Sequence, residues 1–214
     1  MKKLDVQYRV LGMISTNTYF LINKETLEGI VVDPADSAEY IMKQFELRGF
    51  HLAAILLTHG HFDHIYAANR LRELSGAPIC ACEKEQRMLG DPEINRSVVW
   101  ADAMTVKADR FFKDGEKVCL AGLDFEVLHT PGHTEGSCCY YFKEEGVLIS
   151  GDTLFRETYG RTDLETGSHS EMMKSLREKL FVLPPDTKVF PGHDAFTTIG
   201  HELSFNPAAA AFGK

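Results

Sequence analysis

Leu56-Leu57-Thr58-His59-Gly60-His61-Phe62-Asp63-His64 joins an apolar run to a loop that is dense in potential metal ligands. Residues 53–57 predict a buried strand, which leads through Thr58 directly into that loop. Histidines on a loop are commonly only solvated, but the pattern H-x-H-x-D-H directly after a strand indicates a metal site. Imidazole nitrogens and a carboxylate oxygen suit zinc, or else iron or manganese. One loop cannot surround a metal ion, so further ligands are expected downstream.

Three later segments repeat the order of apolar strand, Gly or Pro turn, and candidate ligand. They are Phe125–His129 before Thr130-Pro131-Gly132-His133, Gly146–Ser150 before Gly151-Asp152, and Lys188–Phe190 before Pro191-Gly192-His193. Glycine allows a sharp turn, and ligand sites of open α/β sheets lie beyond the strand ends. These segments therefore predict that His133, Asp152 and His193 belong to the same site as the first loop.

The motifs H-x-H-x-D-H, T-P-G-H-T, G-D-T-L-F and P-G-H, in this order, resemble the metallo-β-lactamase superfamily and, within it, the glyoxalase II-like hydrolases. The resemblance extends from about Asn17 to Asn206. It implies an α/β fold, the αβ/βα four-layer sandwich, with two mixed sheets flanked by helices. It also implies a single hydrolase domain over residues 1–214 that lacks the C-terminal helical substrate domain of full-length glyoxalase II.

The same resemblance implies two divalent metal ions, zinc in the first place and iron or manganese as alternatives. One ion takes His59, His61 and His133, the second takes Asp63, His64 and His193, and Asp152 bridges both. Such a pair activates a bridging hydroxide and polarises a carbonyl group, and Asp63 is expected to orient the hydroxide. True metallo-β-lactamases typically have a cysteine in place of this aspartate, so β-lactam hydrolysis is not expected as the native reaction.

The segment 152–163 separates the possible activities. G-D-T-L-F resembles glyoxalase II, a thioesterase for S-(2-hydroxyacyl)glutathione, whereas G-R-T-D also occurs in mononuclear iron persulfide dioxygenases. Arg161 occupies the place of a substrate-binding lysine and is a candidate for binding a substrate carboxylate, with Tyr159 as a further candidate. A salt bridge with Asp163 is the alternative role of Arg161. A non-catalytic binding or redox-sensing module is the alternative from another class, although such proteins normally lack at least one ligand.

Composition limits the classes of partner. The chain has 214 residues and a net charge of −8, which argues against binding nucleic acid through its phosphates. It has neither a signal-peptide apolar region nor a membrane-spanning run, so a cytoplasmic location is expected, with a small thioester as partner and the oligomeric state open. Five cysteines do not form a complete disulfide framework. Cys80, Cys82, Cys138 and Cys139 are expected to be reduced and partly buried, although a metal or redox role stays open.

Apolar periodicity and turn residues predict the remaining elements. Strands are expected at 7–11, 18–22, 29–32, 79–81, 117–120, 123–129, 137–142, 147–150 and 189–190, and helices at 37–48, after 64 to about 75, at 170–179 and at 198–203. Residues 83–113 are expected to be helix and loop along one rim of the site.

Several side chains allow two interpretations. Asp33 precedes Pro34 and is interpreted as a turn residue, the alternative being that it orients a ligand loop. Ser37 is expected to cap a helix. An aromatic set could line the substrate cavity or anchor a long connection to the core, and it consists of Trp100, Phe111 and Phe112. His129 is a candidate to orient a ligand. The other histidines, expected at the surface or at helix caps, are His51, His169 and His201.

Overall fold

The computed structural model describes residues 3–211, and most of its strands lie in two six-stranded sheets. The first sheet has the spatial order β1 (Leu4–Leu11), β2 (Thr16–Asn23), β3 (Glu28–Val32), β4 (His51–Leu56), β5 (Ile79–Cys82) and β6 (Arg110–Phe112). The second consists of β7 (Lys117–Leu120), β8 (Leu123–His129), β9 (Cys138–Phe142), β10 (Val147–Gly151), β13 (Lys188–Pro191) and β14 (Thr197–Thr198), side by side in that order. A separate ribbon pairs β11 (Leu154–Phe155) with β12 (Thr158–Tyr159).

The two sheets pack face to face because their strands are apolar on both sides. Along β2, Tyr19 and Leu21 belong to the core between the sheets, whereas Phe20 and Ile22 belong to the core on the opposite face. Successive side chains of a strand point to opposite faces, so a continuous apolar run fills both cores. In β9, Tyr140 likewise faces the first sheet and Tyr141 faces away from it.

Helices cover the outer face of each sheet. Their bounds are α1 (Ala38–Glu46), α2 (Phe62–Ile65), α3 (Ala68–Ser75), α4 (Gln86–Leu89), α5 (Ser97–Trp100), α6 (His169–Ser175), which continues as a π-helical turn over Leu176–Leu180, α7 (Ile199–Phe205) and α8 (Pro207–Ala211). Helices α1 and α3 pack on the first sheet and α6 and α7 on the second. The predicted αβ/βα sandwich is therefore confirmed. Within residues 3–211, no helix is long and apolar enough to cross a membrane.

The structure differs from the sequence-based expectations at Ser37 and in the segment 83–113. Ser37 precedes α1 with a φ of 58° and its side chain makes no capping hydrogen bond, so the predicted cap is wrong. The segment expected to be helix and loop ends in a strand, β6, which pairs with β5. In that strand Phe112 is fully buried between the sheets, beside Phe125 and Tyr140, and Phe111 packs against the helix-side core. These two phenylalanines anchor the connection and do not line the cavity.

Four of the five cysteines are buried in the cores of this fold. All five are free, and Cys119 is exposed. Cys80, Cys82 and Cys138 lie in the core between the sheets, and Cys139 lies on the other face of the second sheet. Burial raises the pKa of the Cys80 and Cys82 thiols to about 11, so these groups stay protonated near neutral pH.

Candidate metal centre

The segments that follow β4, β8, β10 and β13 converge on one cluster of ligating side chains. These side chains form three overlapping groups of three residues, and within each group the ligand atoms lie within 4.8 Å of one another. Together they contain all seven residues predicted from the sequence, namely His59, His61, Asp63, His64, His133, Asp152 and His193. We call these seven residues the cavity floor. Five of them lie on loops that follow strands, whereas Asp63 and His64, expected on the first loop, lie in the short helix α2. The two sheets therefore hold these segments in place.

One side of the cavity floor is built from three histidines. Nδ1 of His61 lies 2.9 Å from Nε2 of His133, and the His59 ring stands edge-on to both. Burial, and then the charges of neighbouring histidines, keeps the pKa of His59 well below its ordinary value. Burial also lowers the pKa of His61 and His133. Neutral imidazoles have free lone pairs, so this group can bind a metal cation at neutral pH.

The other side is acidic. Nε2 of His193 lies 3.3 Å from Nε2 of His64 and 3.3 Å from Oδ2 of Asp63. Burial alone would raise the pKa of Asp63, but the charges of His64 and His193 and the hydrogen bonds from His193 and Thr16 lower it. Burial alone would lower the pKa of His64, yet the neighbouring Asp63, Asp152 and Asp33 raise it to about 10. The local potential therefore favours a cation, either a proton or a metal ion.

Asp152 lies between the two sides. Its Oδ1 is 3.5 Å from Nε2 of His64, and its Oδ2 is 3.5 Å from Nε2 of His133 and 3.6 Å from Nε2 of His193. A carboxylate whose oxygens face histidines of both groups is placed as a bridging ligand needs to be. Gly192 permits this approach, because a Cβ atom there would overlap Oδ1 of Asp152.

Hydrogen bonds to the far side of the rings set which nitrogen faces the cluster. Nδ1 of His133 donates to the carbonyl oxygen of Arg161 at 2.8 Å. The Thr58 hydroxyl donates to Asp33 at 2.6 Å, so it accepts from Nδ1 of His59 at 3.1 Å. A carbonyl only accepts, and the one hydroxyl proton is already used, so both rings direct the lone pair of Nε2 at the cluster.

Asp33 is more than a turn residue, and the preferred interpretation of it is wrong. Its Oδ2 accepts from Nδ1 of His64 at 2.9 Å, and its Oδ1 accepts from the backbone N–H of Thr58 at 2.8 Å. Through Thr58 it also reaches His59, so one buried carboxylate orients a ligand on each side of the cluster. β3 and β4 are parallel neighbours, which brings their ends together.

Buried polar atoms test whether a metal fits. Within residues 3–211, Nε2 of His59 and Oδ1 of Asp152 are buried and have no hydrogen-bond partner. Burying such groups unpaired is costly, and buried charges are typically paired or coordinate metals. Nitrogen and carboxylate donors of this kind match zinc, iron or manganese. The residues therefore fit divalent metal ions.

A cavity of about 400 Å³ opens above the floor. Apolar side chains and two arginines form its outer wall, which we define as Ile14, Phe62, Arg96, Trp100, Phe155, Arg161 and Leu164. Trp100 is 53% exposed and its ring is parallel to that of Phe62 at 6.4 Å. Trp100 therefore lines the cavity, which is one of the two interpretations given for the aromatic set.

Arg161 lies at the cavity and is also paired with an acid. Its guanidinium lines the cavity and also forms two hydrogen bonds with Asp163, at 2.7 and 2.8 Å. Arg96, which the sequence did not single out, is similarly paired with Glu165 at 2.9 Å. Tyr159 packs against the core of the second sheet and beside the ring of His169, and it is not among the cavity-lining residues.

The remaining histidines lie away from the ligands. His129 directs Nε2 at the carbonyl oxygen of Glu135, at 2.9 Å, and therefore does not orient a ligand ring. His201 forms an ion pair with Glu157, and His51 and His169 are exposed, as expected.

The family can be stated once this geometry is compared with known proteins. The model of the metallo-beta-lactamase superfamily matches residues 11–193. This chain belongs to the metallo-β-lactamase superfamily. A probable metallo-hydrolase of Streptococcus pyogenes is 37% identical over 94% of this chain and 88% of the relative. The hydroxyacylglutathione hydrolase GloC of Haemophilus influenzae is 35% identical over 87% of this chain and 90% of the relative. These relatives support a metallo-hydrolase.

Solved structures of this superfamily extend the range of relatives. The B3 metallo-beta-lactamase BLEG-1 is 38% identical, with a TM-score of 0.90 over 96% of this chain and 99% of that chain. TTHA1623, solved in a di-iron-bound form, is 32% identical, with a TM-score of 0.84 over 94% and 98% of the two chains. ETHE1 from Myxococcus xanthus is 29% identical, with a TM-score of 0.78 over 96% and 85%.

Two buried carboxyl groups beside the floor lie outside the ligand motifs of the sequence. For Asp33 the sequence offers the orienting role only as the alternative interpretation, because the following Pro favours a turn. Glu85 lies in the charged run Glu83-Lys84-Glu85, which has the pattern of a solvated surface, yet its side chain is buried. Only the short distance of such charges from an apolar strand, here β5, could have pointed to a buried position.

Proposed function

We propose that this superfamily member is a thioesterase that hydrolyses an S-(2-hydroxyacyl)glutathione or a similar small thiol ester. The observation that carries the proposal is Asp152, whose two oxygens face histidines of both groups. Two divalent metal ions, zinc first and iron or manganese as alternatives, would supply an activated water and polarise the thioester carbonyl when bound. They would be held by the seven residues of the cavity floor.

Side chains of the chain itself provide the rest of the chemistry. The Thr16 hydroxyl donates to Oδ2 of Asp63 at 2.9 Å and fixes that carboxylate, whose lowered pKa keeps it ionised. An ionised, fixed carboxylate can accept a hydrogen bond from the attacking water and orient it. Among residues 3–211, no serine or cysteine lines the cavity, in keeping with a reaction in which water attacks directly.

The outer wall suits a small, partly apolar substrate that carries a carboxylate. The volume of the cavity lies within the range of pockets for small molecules. Ile14, Phe62 and Trp100 provide apolar contact, and Arg96 and Arg161 provide positive charge at the rim. Because each arginine is already paired with an acid, a carboxylate on the thiol carrier must compete for it. We therefore expect weak selectivity among thiol carriers.

The relatives favour this reaction to different degrees. The Haemophilus hydrolase is named for a hydroxyacylglutathione substrate, which supports the proposal directly. A second candidate, a mononuclear iron persulfide dioxygenase, is suggested by G-R-T-D at 160–163 and, to a lesser degree, by the likeness to ETHE1.

The test combines metal analysis with parallel assays. One acyl group is presented on glutathione, on cysteine and on another small thiol, and a β-lactam and a persulfide with oxygen are assayed beside them. We expect two metal ions per fully active chain, thioester hydrolysis, and less than a thousandfold preference for any carrier, about 4 kcal/mol. Oxygen uptake with one iron per chain would instead establish the dioxygenase. Metal binding without turnover of any substrate would favour a non-catalytic module.

A further inference from the structure

Glu85 occupies an unusual position between the two loops that supply the three-histidine side of the floor. It ends the 3₁₀ turn Glu83–Glu85 that follows β5, and it is 1% exposed. Its Oε1 accepts from the backbone N–H of Gly60 at 2.7 Å. Its Oε2 accepts from the hydroxyl of Thr134 at 3.1 Å, and the backbone N–H of Gly136 also bonds to the carboxylate. One carboxyl group thus joins the loop of His59 and His61 to the loop of His133.

No cation compensates this carboxyl group. Among residues 3–211, no lysine, arginine or histidine forms an ion pair with Glu85. Burial raises the pKa of its carboxyl group to about 7, against the hydrogen bonds from Gly60, Thr134 and Gly136 that lower it. Burying an ionisable group without a counter-ion is costly, so its position needs a reason beyond filling space.

The backbone is shaped around this side chain. A Cβ atom at Gly136 would overlap both the backbone nitrogen and Oε2 of Glu85. A Cβ atom at Gly60 would lie 2.9 Å from Cγ of Met88 and 3.3 Å from Oε1 of Glu85. The loop of His133 therefore approaches Glu85 as closely as bare backbone allows. The loop of His59 and His61 packs tightly against Met88 and Glu85 through Gly60, which stands between two ligands.

We propose that Glu85 is a positioning residue for the metal held by His59, His61 and His133. Its two oxygens fix the distance between the loops, and hence the spacing of Nδ1 of His61 and Nε2 of His133. On the acidic side of the floor, other residues hold the ligands: Thr16 holds Asp63, and Asp33 holds His64. The role is thus specific to one of the two metal positions. It rests on the metal-binding part of the proposed function and does not depend on the substrate.

The main test measures metal binding by Glu85→Gln. Glutamine keeps the shape but exchanges one acceptor oxygen for an NH₂ group, which faces a donor of one loop. Zinc is titrated into metal-free protein, with stoichiometry and dissociation constants measured by competition with a chelator. We expect one of the two ions to bind about 10- to 100-fold more weakly, the range seen on removing groups that orient metal ligands. The other ion should bind as in the wild type.

Glu202→Gln is the matched control. Glu202 is also buried and accepts from the N–H of Glu157, the hydroxyl of Thr197 and the amide of Asn206, but it touches neither ligand loop. If Glu85 only stabilises the fold, both variants should lose unfolding stability and both should bind two zinc ions with wild-type affinity. That result would overturn the proposal.

A second pair of variants works even if Glu85→Gln does not fold. Thr134→Val removes one donor on the His133 side without changing the shape of the side chain, and Thr134→Ser restores the hydroxyl. We expect the valine variant to weaken the same ion and the serine variant to recover it. Equal zinc affinities in Thr134→Val, Thr134→Ser and the wild type would refute the positioning role of Glu85. A wild-type chain that binds no metal would instead refute the proposed function.

Discussion

The floor and the outer wall of the same cavity are built in opposite ways. His59 and His64 are 1% and 0% exposed, and their rings are held by hydrogen bonds to Thr58 and Asp33. Across the cavity, Trp100 is 53% and Ile14 is 39% exposed, and the wall arginines are held by ion pairs at the surface. Fixed groups suit the chemical step, which demands accurate positions. An exposed wall suits binding that tolerates variation.

This contrast predicts that substitutions in the floor, and in the residues that hold it, reduce activity and metal binding far more than substitutions in the wall. Floor residues share partners, so the loss of one group disturbs several ligands. Wall residues act nearly independently, and solvent screens their ion pairs.

Asp152→Ala should have the largest effect. It removes a carboxylate whose oxygens face histidines on both sides of the floor, and we expect kcat to fall by about 10³-fold, the upper range for the loss of one positioned electrostatic group. The strands around it remain apolar, so the far-UV circular dichroism should be unchanged. Asp186→Ala, which removes an exposed carboxylate from a surface loop, is the control. Normal turnover by the Asp152 variant would exclude a shared bridging role.

The pH dependence of stability should report on Glu85. Its pKa in the folded state is raised from 4.5 to about 7, so the folded state holds a proton that the unfolded state releases between these values. Wild-type stability should therefore fall, relative to Glu85→Gln, as the pH rises from about 4.5 to 7. The relative change is on the order of 3 kcal/mol. Denaturant unfolding of both metal-free proteins across this range measures it, and parallel stability curves would show that Glu85 does not titrate there.

Asp33→Asn should weaken the binding of both metal ions. Asparagine tolerates the positive φ of 51° at this position, but its NH₂ group must face the N–H of His64 or the donors of Thr58. We expect a loss of about 10- to 100-fold in zinc affinity. Because Asp33 serves His59 and His64, both ions should be affected, in contrast to Glu85→Gln. Asp36 is a partly buried acid in the same turn, and Asp36→Asn should bind zinc like the wild type. Weakening of only one ion by Asp33→Asn would contradict the link through Thr58.

The floor could be predicted from the sequence and much of its surroundings could not. Each ligand belongs to a short motif that follows an apolar run, so the local sequence alone predicts that His59 and Asp152 come after strands. The partners of these ligands come from neighbouring strands: Asp33 ends β3 beside β4, and Glu85 follows β5 on its other side. Which strands are neighbours depends on the pairing of the whole sheet, and a single acid before Pro34 or in a charged run does not show it.

The wall is less predictable for a related reason. Phe112 and Trp100 are both aromatic residues in the same irregular segment, yet one is fully buried and the other half exposed. What separates them is β6, a strand of only three residues that forms by pairing with β5. So short a strand has almost no periodicity of its own, and its position depends on the tertiary fold.

Arg161→Ala should have the smallest effect and should separate its two roles. The guanidinium is largely exposed and paired with Asp163, so removing it should raise KM by about threefold with little change in kcat, as expected when uniform binding is lost. Asp163→Ala is the sharper variant, because it frees the guanidinium: KM should fall for a glutathione thioester and stay unchanged for the same acyl group on a thiol without a carboxylate. The double variant should behave like Arg161→Ala. If both single variants leave KM unchanged and lower the melting temperature instead, the pair is structural, and the wall has no cationic contact at this position.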